Sequence, residues 1–136
     1  MKYWQDSVIF VLGGILYASL EIIFRGWTHP SMFVVGGLCV VLIGRLDEFA
    51  PGLPLAAQAV TGAMIVTGME LASGLVVNVL LGWNVWDYSG HPFNFMGQIC
   101  LLFSLLWIPA SLGAVFADDA LRKLLFRQPI PSYHWW

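Results

Sequence analysis

Residues 55–82 carry a single charge, Glu70, in a run otherwise built of apolar and small side chains. About 20 residues at 1.5 Å each cross the hydrocarbon core of a bilayer, so this run is long enough to span it even when tilted. Near the middle of such a run an ionised carboxylate costs roughly 2.5 to 3.5 kcal/mol on insertion scales. Lipid cannot satisfy it, so Glu70 must face protein. It reads either as a functional group or as a hydrogen-bonding group that joins helices.

The rest of the chain agrees with a membrane setting. Of 136 residues, 59% are hydrophobic and 10% charged, where a soluble domain carries about a quarter charged residues. Too little polar surface is present to cover a water-soluble globule. A net charge of −2 and the lack of a basic cluster exclude a nucleic-acid partner. Tyr3, Trp4, Trp27, Trp83, Trp86, Tyr133, Trp135 and Trp136 sit beside the expected membrane boundaries, where an amphipathic ring gains from both phases. Cys39 and Cys100 lie inside apolar runs and read as packing residues.

These features predict an all-α, polytopic membrane protein. Residues 1–136 form a single integral membrane domain, a four-transmembrane-helix bundle with spans at about 8–24, 31–44, 55–81 and 95–116. A short C-terminal amphipathic helix at about 118–127 follows, suited to lie in the headgroup layer. The second span is short and reads alternatively as a re-entrant segment. The first contains Glu21 and lacks a signal-peptide cleavage pattern, so its retention is expected. Lys2, Arg45, Arg122, Lys123 and Arg127 fall on one side and Arg25 alone on the other. The positive-inside rule then puts both termini in the cytoplasm of a multi-pass cell-membrane protein.

Helical spacing sorts the polar residues onto faces. Gly14, Tyr17, Ala18, Glu21 and Arg25 share one, with Glu21 and Arg25 in the favourable order for an ion pair. Thr67, Glu70, Ser73, Gly74 and Asn78 share another, and Asn94, Gly97, Gln98, Ser104 and Ser111 a third. Converging, these stripes predict a polar chamber in the outer leaflet, roofed by residues 83–93. Its candidate ligand-binding residues are Glu21, Arg25, Glu70, Asn78, Trp86, Asp87, Tyr88, Asn94 and Gln98. Asp87 alone reads equally as a turn cap. The inner half offers little polar beyond Arg45. Gly26-Trp27 before His29-Pro30 and Gly82-Trp83 before His91-Pro92 read either as a parallel duplication or as two similar turns.

The segments Leu81-Gly82-Trp83-Asn84-Val85-Trp86-Asp87-Tyr88-Ser89, Gly97-Gln98-Ile99-Cys100 and Phe103-Ser104-Leu105-Leu106-Trp107 resemble the family described as putative ABC-transporter permeases (CmpB-like, "type IV"). Arg25-Gly26-Trp27-Thr28-His29 and Gly36-Gly37-Leu38-Cys39 resemble one branch of it, although His29-Pro30 departs from an aromatic residue expected after that histidine. The resemblance covers most of the chain and implies a transport component. No Walker motif is present, so any ATPase would be a separate chain.

Three functions are therefore open. One is a transport component binding a small polar or cationic ligand, assembled as a homodimer or higher oligomer through Gly13, Gly14, Gly36, Gly37, Gly62 and Gly68. The second is a structural or regulatory subunit of another membrane complex. The third is an enzyme acting on a lipid headgroup, with Glu70 or Asp87 as base near His91. No nucleophile triad, cofactor motif or metal-ligand spacing accompanies these residues, so no cofactor and no metal is assigned.

Overall fold

A computed structural model describes residues 3–135. Lys2, Trp136 and the Tyr3 side chain lie outside the described residues. Five helices run in order: α1 (Tyr3–Arg25), α2 (Pro30–Gly44), the one-turn α3 (Leu46–Phe49), α4 (Leu55–Gly74) and α5 (Leu101–Phe126). Three segments are long and apolar enough to cross a membrane: Trp4–Arg25, Leu55–Leu80 and Leu101–Phe126. At 15 residues α2 is roughly 22 Å long, short of the ~30 Å hydrocarbon core.

α1 packs on α2, α4 packs on α5, and α2 joins the two pairs by touching both α4 and α5. The α1–α2 contact is close because glycines line it. A Cβ on Gly37 would lie 2.6 Å from the Phe10 carbonyl oxygen, and one on Gly36 would lie 2.5 Å from the Tyr17 Cβ. Gly13, Gly14 and Gly62 are likewise filled by neighbours from the same chain, whereas Gly68 has open space. Five of the six glycines assigned to an oligomer contact therefore serve packing within the chain.

Val35, Cys39, Ile43, Leu46, Leu55, Val66 and Val115 form one buried cluster. Met32, Val77, Val85 and Trp86 form another, at the end of the bundle where α4 finishes. Large side chains such as Ile23, Phe24, Met64 and Leu105 point outward, as a lipid-facing surface requires.

The ends of the elements follow from local chemistry. Pro30 opens α2, where its missing N–H costs nothing, and the His29 ring nitrogen Nδ1 accepts from the Ser31 amide at 3.1 Å. The first free amides of α4, on Leu55 and Ala56, donate to the carbonyls of His134 and Trp135 at 2.7 and 3.2 Å. The C-terminal tail thus supplies the cap that Pro54 cannot.

Three expectations are corrected. Residues 95–100 are not helical: β1 (Asn94–Phe95) and β2 (Ile99–Cys100) form a small antiparallel hairpin, with Asn94 opposite Cys100. Phe93, Met96 and Gly97 adopt positive φ there, which a helix cannot accommodate. No separate interfacial helix follows the last span, because α5 continues unbroken to Phe126. Asp118 and Arg122 are buried on it. Nor do the two Gly/His/Pro turns match: Pro30 starts a helix directly, while Pro92 leads into the hairpin.

Candidate functional site

After α4 the helix widens into a π-helical segment, Leu75–Leu80, a rare geometry frequent at functional sites. It carries Asn78 to the end of the bundle, and the following loop folds back over the helices. The Asn78 side chain accepts from the Val85 amide at 2.7 Å and donates to Gln98 Oε1 at 2.8 Å. The Trp86 indole donates to the Gln98 carbonyl at 2.9 Å, and Gln98 Nε2 donates to the Met96 carbonyl. Arg25 donates to the Val85 carbonyl at 3.0 Å, which ties α1 to the same loop. Asn78, Trp86 and Gln98 thus hold the loop shut around its own backbone.

Beneath the loop lies Glu70, 3% exposed. The Tyr88 hydroxyl donates to its Oε2 at 3.1 Å, and the Trp107 indole on α5 donates to Oε1 at 2.7 Å. Tyr88 is held by stacking on Phe103, with centroids 4.9 Å apart and planes 14° from parallel. Among the described residues no Arg or Lys pairs with Glu70. Hydrogen bonds to a charged group contribute about 1.5 to 3 kcal/mol each. Two of them therefore offset an insertion cost of the size expected for this depth.

Glu21 and Arg25 pair at 2.8 Å, with side chains 12% and 31% exposed. Their atoms approach without hydrogen-bond alignment, and Glu21 Oε2 has no hydrogen-bond partner. Arg25 also lies over the Trp27 ring, 4.3 Å from its centroid. Tyr17, one turn before Glu21, faces both Glu21 and Glu70.

The other two candidates stay at the surface. Asp87 Oδ1 accepts from the Ser89 amide at 2.9 Å in an exposed turn. Hydrogen bonds from Ser89 hold its carboxyl below the ordinary 3.8. Asn94 bridges the His91 carbonyl and the Gly97 amide at 2.9 and 3.1 Å, shaping the hairpin. Tyr88 differs from Asp87: burial first, then the Glu70 charge, raise its phenol above the usual value.

The opposite end of the bundle is far more polar than Arg45 alone foretells. Asp6 on α1 pairs with Arg45, and with Arg122 at 3.1 Å. Arg122 Nε reaches both oxygens of Asp118 at 3.0 and 3.1 Å, and Arg45 also meets Glu48. The hydrogen bond from Asp6 raises the Arg45 guanidinium further above its usual value. Tyr133 of the tail donates to Asp119 at 2.6 Å, closing over a cleft that Asp47, Gln58 and His134 also line. Burial, then that bond to Asp119, raise the Tyr133 phenol.

Sequence reasoning missed Trp107, which looks like one more apolar aromatic. Its one signal is the spacing of four from Phe103, which puts both rings on the face that meets the loop. It also missed the Asp6 network, whose partners stand 39 and 116 residues away.

No curated protein and no solved structure gives a significant match to this chain. The model of the family described as "putative ABC-transporter type IV" matches residues 15–129. That is most of the chain, including α2, Glu70, the loop and Trp107, and the chain belongs to this family.

Proposed function

We propose that this chain is a membrane-embedded transport component that binds a small polar or cationic ligand at Glu70, on the outer-leaflet side. The observation that carries the reading is a buried carboxylate at mid-helix, without a cationic partner among the described residues, under a loop held by side-chain contacts. Intramembrane carboxylates of this kind mark ion and substrate pathways, and the family points to transport. Glu21, Arg25 and Tyr17 form the approach from the rim, while Asn78, Trp86 and Gln98 keep the loop in place. Asp87 and Asn94 stand at its entrance.

In this reading α2 is a fourth, short span between its longer neighbours, and both termini are cytoplasmic. The support is charge: Arg45, Arg122, Lys123 and Arg127 gather at one end and Arg25 stands at the other. Thiol labelling tests it. A cysteine at Ser89 reacts from outside intact cells and one at Ser132 only after permeabilisation; the reverse overturns the orientation. Four helices are a small scaffold for a closed path, so a homodimer or larger assembly completes it, with Gly68 still open for contact. An ATPase, if one serves it, is a separate chain.

The functional test compares wild type with Glu70→Gln in lipid nanodiscs. Thermal stability is followed against sodium, potassium, ammonium, tetramethylammonium and pH. A ligand that binds the folded state raises its stability in proportion to RT ln(1 + [L]/Kd). The expected result is an intact fold in both, and a response that Glu70→Gln loses. A variant that responds as wild type does, or a wild type that responds to nothing, overturns the reading. The second outcome favours a structural or regulatory subunit. That alternative has its own support, since Asn78 and Gln98 are fully engaged in holding the loop.

A further inference from the structure

The surroundings of Glu70 narrow what it can bind. Both oxygens already accept a hydrogen bond, one from an indole and one from a phenol. A metal ion needs several oxygen, nitrogen or sulfur ligands around it. Among the described residues no group of three or more His, Cys, Asp or Glu side chains converges in that way. An organic ammonium would use aromatic faces as a cage. Here Phe103 stacks on the ring of Tyr88, and Trp107 presents its N–H edge to the carboxylate.

The titratable groups that face Glu70 are Tyr17 and Glu21 from α1, Cys39 from α2 and Tyr88 from the loop. The group from α5 is Trp107, which does not titrate. Arg25, the nearest cation along α1, pairs with Glu21.

Resting on the transport reading above, we infer that the ligand of Glu70 is a proton. The two donors differ in a way that suits this. An indole N–H only donates, so Oε1 keeps its bond to Trp107 in either protonation state. A phenol donates or accepts, so when Oε2 takes up a proton the Tyr88 hydroxyl turns and its oxygen receives the new O–H. One proton is gained, the carboxyl charge goes from −1 to 0, and no heavy atom has to move. A buried acid that switches charge without repacking is built for proton uptake and release. Glu21, with a buried and unpartnered Oε2 near the rim, and Tyr17 between the carboxylates stand on the route.

The test is infrared difference spectroscopy of the full chain in nanodiscs across steps of pH. A protonated-carboxyl band that grows as pH falls is expected in wild type and absent in Glu70→Gln. Tyr88→Phe keeps the stacked ring but removes the hydroxyl, so the band persists and moves to higher frequency. A difference signal identical in wild type and Glu70→Gln overturns the inference, as does an unshifted band in Tyr88→Phe. Glu70-dependent stabilisation by sodium or tetramethylammonium without a titrating band keeps the transport reading and removes the proton. No titrating band and no response to any cation or to pH removes both.

Discussion

Replacing Arg122 by methionine measures whether the far end of α5 is built into the bundle or lies free on the membrane surface. Arg122 reaches both oxygens of Asp118, which is 1% exposed. Its loss strands that carboxylate, because Asp6 turns to Arg45 and not to Asp118. Removing one partner of a buried ion pair costs about 3 to 5 kcal/mol. The lower end applies, since Asp118 can take a proton in place of its lost partner. We therefore expect a loss of about 3 kcal/mol for Arg122→Met, read by denaturant unfolding in mixed micelles with tryptophan emission. Adding Asp118→Asn removes the stranded charge and should recover at least half of that loss, so that the two changes are strongly non-additive. A loss below about 1 kcal/mol, the range of exposed surface pairs, refutes the reasoning. It would restore the picture of a free interfacial helix.

Three further outcomes follow from the packing. Gly37→Val drives a side chain into the Phe10 backbone carbonyl and should cost about 1 to 3 kcal/mol. Gly68→Ala, facing open space, should be neutral or stabilise by up to about 1 kcal/mol in the same unfolding assay; equal losses in the two variants would contradict this α1–α2 contact. His29→Ala removes the cap of α2 and should cost about 1 kcal/mol, with the Ser31 amide exchanging faster. Asp87 titrates below its ordinary value, so its turn is supported above about pH 4 and released as pH falls through the lower folded value. Exchange protection at Ser89 should hold from neutral pH to that point and then drop, while Asp87→Ala lacks it throughout.

The legible part of this molecule is the part written in neighbouring residues. Glu70 stands out because residues 55–82 contain no other charge, and Glu21 with Arg25 follows from a spacing of four. The hairpin at Asn94–Cys100 was hidden because Asn94, Gln98 and Ser104 also fit a helical stripe. Only the positive φ values at Phe93 and Met96 reveal that the chain turns there instead. The Asp6–Arg45–Arg122 network was hidden for another reason. Basic residues near a helix end satisfy the positive-inside pattern whether they face headgroups or a buried carboxylate. Periodicity cannot say which, because the deciding partner sits on α1.

The tail that caps α4 has a consequence for how the protein is made. The Leu55 and Ala56 amides find their acceptors on His134 and Trp135, which leave the ribosome only after α5 has been synthesised. Until then the start of α4 must bind water or headgroups, so it is kept at the interface and cannot slide deeper. Final seating of that helix is thereby timed to the end of translation.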